Sequence, residues 1–468
     1  MTDGRHRKYD GAMSTLNLIV AVATTLLAFP VAASQEPAKE WLQEPVVVLD
    51  GTVDPAKMTE GEVPPLPDAI VQPMPPAFRL AATGAAAGLD QDTYLETLAA
   101  IDRGLDHLRR RQDPRGVWMA EDVATPTDEP QKPAPVSLAV TAMGMQGFAQ
   151  RGFTVENDPT LRRAVQAIMA ARDEDGTIDG GSLTNYVNAA MVSGMASLED
   201  PRFQDAVQHG VESLTRHQWN RDEGIGARKD WFGGAGYGSR GRPDLSNTQT
   251  MLQALHDSGM SPDDPAFQQA VVFLSRTQNL TAVNPSDWAG DDGGFVYTPA
   301  NGGESMASQY AGEGRYAENM PEGVARSLRS YGSMTYAGFK SLIYAGLTEQ
   351  DPRVQAAYNW LRTHYTFDRN PGVGQQGLYY YYLAMARALR AAQQPIITDT
   401  DGIEHDWRAE LADAIMKRQR KDGSWINPED RWMEGNDELT TVYAVLALEE
   451  ILKPAPLAAQ RRSERTTP

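Results

Sequence analysis

The sequence predicts an all-α protein whose helices close into an α/α toroid, with about six inner and six outer helices (an α6/α6 barrel). Three observations carry this prediction. First, a helix start recurs as Asp-Pro followed by an apolar residue and then Ala. It is seen at Asp158-Pro159…Leu161…Ala164, Asp200-Pro201…Phe203…Ala206, Asp264-Pro265…Phe267…Ala270 and Asp351-Pro352…Val354…Ala357. Asp caps a helix and Pro suits its first turn, so each copy opens a helix. Second, these helices end alike: an apolar residue, then Gln or Arg four later, then often Gly and an apolar or aromatic residue. Leu108, Gln112, Gly116 and Trp118 are one set, Ile168, Arg172, Gly176 and Ile178 another, and Ile415, Gln419, Gly423 and Trp425 the last. Leu214 with Gln218 and Leu274 with Gln278 are partial sets. Glycine takes the left-handed conformation that stops a helix, and the aromatic folds back over the helix end. Third, each such amphipathic helix is followed by one apolar on most faces, as in Leu342-Ile343-Tyr344-Ala345 and Tyr443-Ala444-Val445-Leu446-Ala447-Leu448. A helix apolar nearly all round is a buried one. Six such pairs close into a ring with the buried helices inside; an open solenoid is the structural alternative.

In chain order, residues 1–33 read as an export signal. Arg5, His6, Arg7 and Lys8 form a basic flank, residues 16–33 are apolar, and Val31-Ala32-Ala33 offers small residues for cleavage before Ser34. An uncleaved N-terminal membrane tether is the alternative, and Met13 is an alternative start. Residues 34–93, rich in Pro, Glu and Ala, read as a linker with little packed structure. Residues 94–452 hold the repeats. The buried helices are expected at 137–150, 182–198, 246–258, 333–345, 376–391 and 439–452. Ser137, Ser182, Ser246 and Ser333 open four of them and are expected to cap them. Residues 453–468 read as a flexible tail. Strand signals are scarce, apart from short pieces such as Phe295-Val296-Tyr297.

Composition excludes several function classes. The net charge of −19 repels phosphate backbones, so nucleic acid is not expected as a partner. With no cysteine there is no disulfide, thiolate metal site or cysteine nucleophile. The seven histidines show no metal spacing; neither metal nor cofactor is expected. Gly236-Tyr237-Gly238-Ser239-Arg240-Gly241 spells a dinucleotide fingerprint but lacks the preceding strand. Asp173 to Asp179 lacks the first and last ligands of a calcium loop.

The repeat residues resemble the prenyltransferase and squalene-cyclase repeat family. Arg103-Gly104…Leu108…Gln112…Gly116-Val117-Trp118 is similar to that family's Gln-Trp motif, with His107 where an aromatic is usual, and Gln419…Gly423-Ser424-Trp425 is similar too. The resemblance covers roughly residues 94–452 and implies the toroid fold and an apolar, isoprenoid-like ligand in its central cavity. Squalene-type cyclases protonate an alkene with the middle Asp of an Asp-x-Asp-Asp-Thr motif. The matching stretch here is Asp244-Leu245-Ser246-Asn247-Thr248. Asp244 and Thr248 fit; Ser246 replaces the proton donor and Asn247 the last Asp. A serine hydroxyl is far too weak an acid for that step. Prenyltransferase zinc needs a cysteine that this chain lacks.

Candidates for a catalytic carboxyl are Asp244, its repeat counterpart Asp437 with Glu438, and the pair Asp291 and Asp292 in the long segment 280–331. Residues expected at a ligand cavity are Trp231, Tyr237, Asn247, Trp288, Tyr336, Tyr380, Tyr381 and Trp432, since aromatic faces hold cations, sugars or isoprenoids. Two other functions stay open: a cell-envelope scaffold or recognition module whose protein partner is unknown, and a polysaccharide-acting enzyme. The export signal places any of the three in the periplasm, in the cell envelope or outside the cell.

Overall fold

A computed structural model describes residues 76–119, 132–238, 241–307 and 327–456. The chain divides into residues 1–46, outside the described stretches, and residues 47–468, which contain every described residue. The expected export signal lies outside the described residues. No helix among the described residues is long and apolar enough to cross a membrane.

Among the described residues twelve longer helices follow a one-turn helix at Gly84–Ala87 and alternate as outer and inner. The outer ones are α1 (Gln91–Arg111), α3 (Pro159–Ala171), α5 (Gln204–Arg216), α7 (Pro265–Thr277), α9 (Pro352–Thr363) and α11 (Trp407–Met416). The inner ones are α2 (Pro135–Gln150), α4 (Thr184–Ser197), α6 (Leu245–Asp257), α8 (Gly332–Tyr344), α10 (Leu378–Ala391) and α12 (Asp437–Leu452). Each inner helix packs on the next, and α12 packs on α2 as well as on α10, so the inner layer is a closed ring. That excludes the open solenoid.

The repeat residues explain the closure. Asp158, Asp264 and Asp351 each accept the first free N–H groups of an outer helix, with Pro at its first position. Asp200 does the same for a short 3-10 turn that leads into α5. Each such cap contributes about 1 kcal/mol. At the helix ends, a glutamine amide then stitches one repeat to the next. Gln112 donates to Gly116 O and Thr160 O, Gln218 to Gly233 O and Ala266 O, and Gln278 to Gly293 O and Arg353 O. Gln419 donates to Gly423 O and to Ala100 O of α1, so the last repeat is tied to the first by the same pair of bonds. Arg172 takes the second position with a bond to Gly176 O and a pairing with Asp205. The end of α9 has His364 there, stacked on Trp360 at 4.0 Å.

The aromatics fold back as expected: Trp118 Nε1 donates to Leu108 O and Trp425 Nε1 to Ile415 O, each at 2.8 Å. In four of the inner helices a threonine near the start meets the incoming loop. Thr141, Thr248, Thr335 and Thr441 accept the backbone N–H of Trp118, Ala235, Phe295 and Trp425.

Three sequence expectations need correction. The linker was expected through residue 93, but Phe78, Ala81, Ala87 and Leu89 are buried. Ala81 N bonds Leu452 O and Tyr94 OH bonds Ala81 O, so this segment packs across the far ends of α12 and α1. The tail was expected loose from 453, but Lys453 is buried and Ala455 N bonds Ala86 O; residues 457–468 lie outside the described set. The serines do not cap the inner helices. The caps are Ala134, Leu183, Asp244 and Tyr331, because each helix starts one or more residues away from the place the serine suggests.

Candidate functional site

The inner helices run in parallel, so their N-termini gather at one mouth of the ring. At the start of α6, Pro243–Asp244 pairs antiparallel with Ala235–Gly236, which fixes the entry of the chain. Asp244 is the N-cap, 1% exposed. Its Oδ1 accepts from Asn247 N and its Oδ2 from Asn247 Nδ2, both at 2.8 Å. Burial pushes its carboxyl up to about 6, against the pull of the Asn247 bonds, Arg242 and Tyr297. Asn247 is fully buried, and Asn185 of α4 donates to its side-chain and backbone oxygens. Asn247 therefore works inside the wall, clamping Asp244 and joining α4 to α6.

Ser246 follows two residues after Asp244. It lies within α6, and its hydroxyl accepts from Tyr186 OH at 2.8 Å and lies 3.2 Å from Tyr380 OH. Tyr380 OH also accepts from Gln249 Nε2 at 2.9 Å. Tyr237 packs its ring on Tyr186 at 5.7 Å and Tyr443 on Tyr380 at 6.0 Å. Tyr186, Ser246, Tyr380 and Tyr443 are all part-exposed, and Tyr237 is 37% exposed. A hydroxyl cluster thus lines the mouth where a carboxylic acid would have to be. Glu434 sets the start of α10. Its carboxylate accepts from Tyr379 N, Tyr380 N and Asn427 Nδ2, supplying the cap that Gly377 lacks. Burial raises its pKa.

One turn deeper, Gln249 Oε1 and Gln253 Oε1 accept from Lys340 Nζ at 2.8 and 2.7 Å. Lys340 is 1% exposed, and burial depresses its pKa well below the usual lysine range. Gln253 passes the chain on to Asp257 Oδ1 at 2.9 Å. At the far end of the inner helices Glu450 gathers Arg390 Nε at 2.6 Å, Lys453 Nζ at 2.8 Å and Arg387 Nε at 3.6 Å. The inner ring is therefore aromatic and hydroxylated at the mouth and charged below.

The other candidates lie elsewhere. Asp437 pairs with His107 and Arg111, and Glu438 with Arg111 and the Met119 N–H, at the seam between α1 and α12. Burial raises Glu438 and lowers His107. The cap of α12 is Asn436, not Asp437. Asp291 accepts from Thr281 N and Oγ1, and Asp292 from Gly294 N and Ser330 Oγ. These two carboxylates close turns and do not face each other as a pair; residues 308–326 of that segment lie outside the described set. Trp288 is buried with Val296 and Leu328 in a cluster apart from the main core. Trp231 packs edge-on against Trp219 at 4.9 Å. Tyr336 and Tyr381 pack against each other inside the wall at 5.6 Å, and Tyr381 OH donates outward to Thr366 O. Trp432 is 43% exposed in the 3-10 turn Arg431–Met433 that precedes α12; it lies against Gly377 at the start of α10, with Arg431 over its ring at 4.9 Å. So Tyr237, Ser246 and Tyr380 come together with Tyr186 and Tyr443, and the remaining aromatics do not join them. Among the described residues no group of three His, Cys, Asp or Glu is placed to hold a metal.

The stretch that delivers Asp244 to Thr248 into this mouth lies in the part of the chain that is similar to a known family. Residues 127–295 match the squalene-hopene cyclase C-terminal domain. No curated protein sequence matches the chain. Similar solved structures include a variant of the type II terpene cyclase MstE from Scytonema with geranylgeranyl dihydroxybenzoate bound. It is 13% identical, with 77% of this chain and 99% of that one covered at a TM-score of 0.46. A protein from Actinoplanes is 16% identical over 76% of this chain and 99% of its own, at 0.40. D-mannose isomerase is 11% identical over 75% and 96%, at 0.45. Thr248 has a structural role of its own, since it meets the incoming loop as Thr141, Thr335 and Thr441 do.

Tyr186, Gln249, Lys340 and Glu434 were missed by sequence reasoning. Lys340 did leave a signal: it is the one charged residue in Gly332–Tyr344, an otherwise apolar helix. Glu434 left none, since the backbone groups that it caps are 54 and 55 residues away.

Proposed function

We propose that the ring holds an isoprenoid-like small molecule at its tyrosine-lined mouth and does not start a cyclisation by protonating it. The observation that carries this is the Ser246 hydroxyl, bonded to tyrosine hydroxyls where the acid would stand. The nearest motif carboxyl, Asp244, has both oxygens taken by Asn247. The faces of Tyr186, Tyr380 and Tyr443 suit an apolar body with π or cationic character. Gln249 and Lys340 below suit a polar end. A second reading, a polyol such as a sugar, draws on the same hydroxyls and amides.

The test uses the purified chain with squalene, geranylgeraniol and a panel of sugars. Binding is followed calorimetrically and extracted lipids are analysed by mass spectrometry. Isoprenoid binding without any new product is expected, weakened at least tenfold, about 1.4 kcal/mol, by Ser246→Trp, which fills the mouth. A cyclised product that vanishes in Asp437→Asn or Glu438→Gln would instead reveal a relocated acid. Sugar binding without isoprenoid binding would select the second reading.

The basic flank and apolar run of residues 1–33 support export, to the periplasm, the envelope or the medium. N-terminal sequencing of the native protein should find a mature chain starting near Ser34. Retention of residues 16–29 would make the segment an anchor instead.

A further inference from the structure

Outer helix α11 opens with Asp406, Trp407 and Arg408. An arginine in the first turn of an outer helix ordinarily reaches water. Here Trp407 is 0% and Arg408 1% exposed. Trp407 Nε1 is anchored on Gln394 O at 2.7 Å, and the Arg408 guanidinium lies over the Trp407 ring at 4.3 Å from its centroid. The ring covers one face of the guanidinium and accepts none of its in-plane N–H groups. Nε, Nη1 and Nη2 of Arg408 are all buried without a hydrogen-bond partner. Arg390, at the end of α10, spends Nε on Glu450 and leaves Nη1 buried and unpartnered.

The charges nearby do not compensate. Burial lowers the Arg408 pKa to about 10; Asp406 pulls it back up, and Arg390 pushes it further down. Arg408 therefore stays cationic at neutral pH. Asp406 also accepts from the Arg408 and Ala409 N–H groups as the cap of α11. Glu450 is shared by Arg390, Arg387 and Lys453. Burial raises the carboxyl of its neighbour Glu449 well above the usual carboxylate range. A buried cation with open donors is among the most costly arrangements in a protein unless something negative accepts from it.

We propose that the open donors of Arg408 and Arg390 form a binding site for a small anion, a halide or a simple carboxylate, between the end of α10 and the first turn of α11. A planar guanidinium with three free N–H-bearing nitrogens fits a compact acceptor, and the enclosure restricts its size. The site belongs to the charged end of the ring and is separate from the tyrosine mouth, so it does not depend on the reading of that mouth.

The experiment is thermal unfolding of the purified protein at constant ionic strength, with gluconate replaced stepwise by chloride, bromide or formate. An anion bound only by the folded state should raise Tm by about 2 °C for each tenfold increase above its Kd. Arg408→Met keeps an apolar stem over Trp407 and should abolish that rise, while Arg408→Lys should weaken it. Crystals grown in bromide should show anomalous density within hydrogen-bond range of Arg408. Equal Tm in gluconate and chloride, with no bromide peak, overturns the proposal and leaves these donors to water. A full anion response retained in Arg408→Met overturns it as well. If Arg408→Met does not fold, the wild-type titration and the bromide peak decide.

Discussion

Gly233→Ala should cost the ring roughly 3–5 kcal/mol, and Gly259→Ala only about 1 kcal/mol. The two glycines have nearly the same backbone, with φ of +82° and +83°. Both substitutions force an L-residue into the left-handed region, and that strain is the whole cost at Gly259, where a Cβ meets nothing within 4 Å. At Gly233 a Cβ would stand 1.9 Å from the backbone oxygen of Gln269. Backbone cannot step aside as a side chain can. Moving the loop away would also pull Gly233 O off the Gln218 amide that ties it to Ala266 of the next outer helix. Calorimetric unfolding of the two variants beside the parent measures the difference. Equal losses would mean that the stitch between repeats contributes nothing beyond backbone strain.

Glu450→Gln should destabilise by roughly 3–5 kcal/mol at neutral pH, because it leaves Arg390, Lys453 and Arg387 without their shared counter-charge in the interior. The pH dependence follows from the direction of the shift. Burial pushes the Glu450 carboxyl up, but Lys453, Arg390 and Arg387 outweigh it and hold it below the usual range. A folded-state pKa below the unfolded one gives stability that is complete above the unfolded value, about 4.3. That stability is lost as pH falls through the folded value. The gap in Tm between parent and Glu450→Gln should therefore be flat from pH 8 to 5 and narrow under acid conditions below about pH 4. A gap that stays constant down to pH 3, or one that is absent at pH 7, would show that the three cations find other partners.

The fold was legible because its signals are local and repeated. Asp-Pro starts and Gln–Gly ends lie within a few residues of the groups they satisfy, so Asp158, Asp264, Gln112 and Gln419 could be read one repeat at a time. The candidate site was less legible because its partners are distant in sequence. Ser246 reads as a cap from its neighbours alone, while the hydroxyls that meet it belong to Tyr186 and Tyr380, 60 and 134 residues away. The serine reading failed for a further reason. The true start of α6 is set by the pairing of Pro243–Asp244 with Ala235–Gly236, which no periodicity reveals. Among the four consecutive tyrosines at 379–382, helical geometry requires some to face inward, but which ones depends on where Glu434 pins the first turn of α10. Lys340, Arg387, Arg390, Glu449 and Glu450 were visible as charges in apolar helices, and reading those helices only as buried passed over them.

The tie between Gln419 and Ala100 also has a temporal meaning. The amides of Gln112 and Gln218 each reach 48 residues ahead, and that of Gln278 reaches 75, so these joints can form as the chain leaves the ribosome. The Gln419 joint spans 319 residues and cannot form until the last repeat has been made. Closing a loop that long costs about 1.7 kcal/mol more than closing one of 48. Until α12 arrives, the nascent chain is an open arc with the apolar flanks of α2 and α10 uncovered. Those flanks are apolar surface that only closure of the ring covers, and such exposed surface is open to aggregation until then.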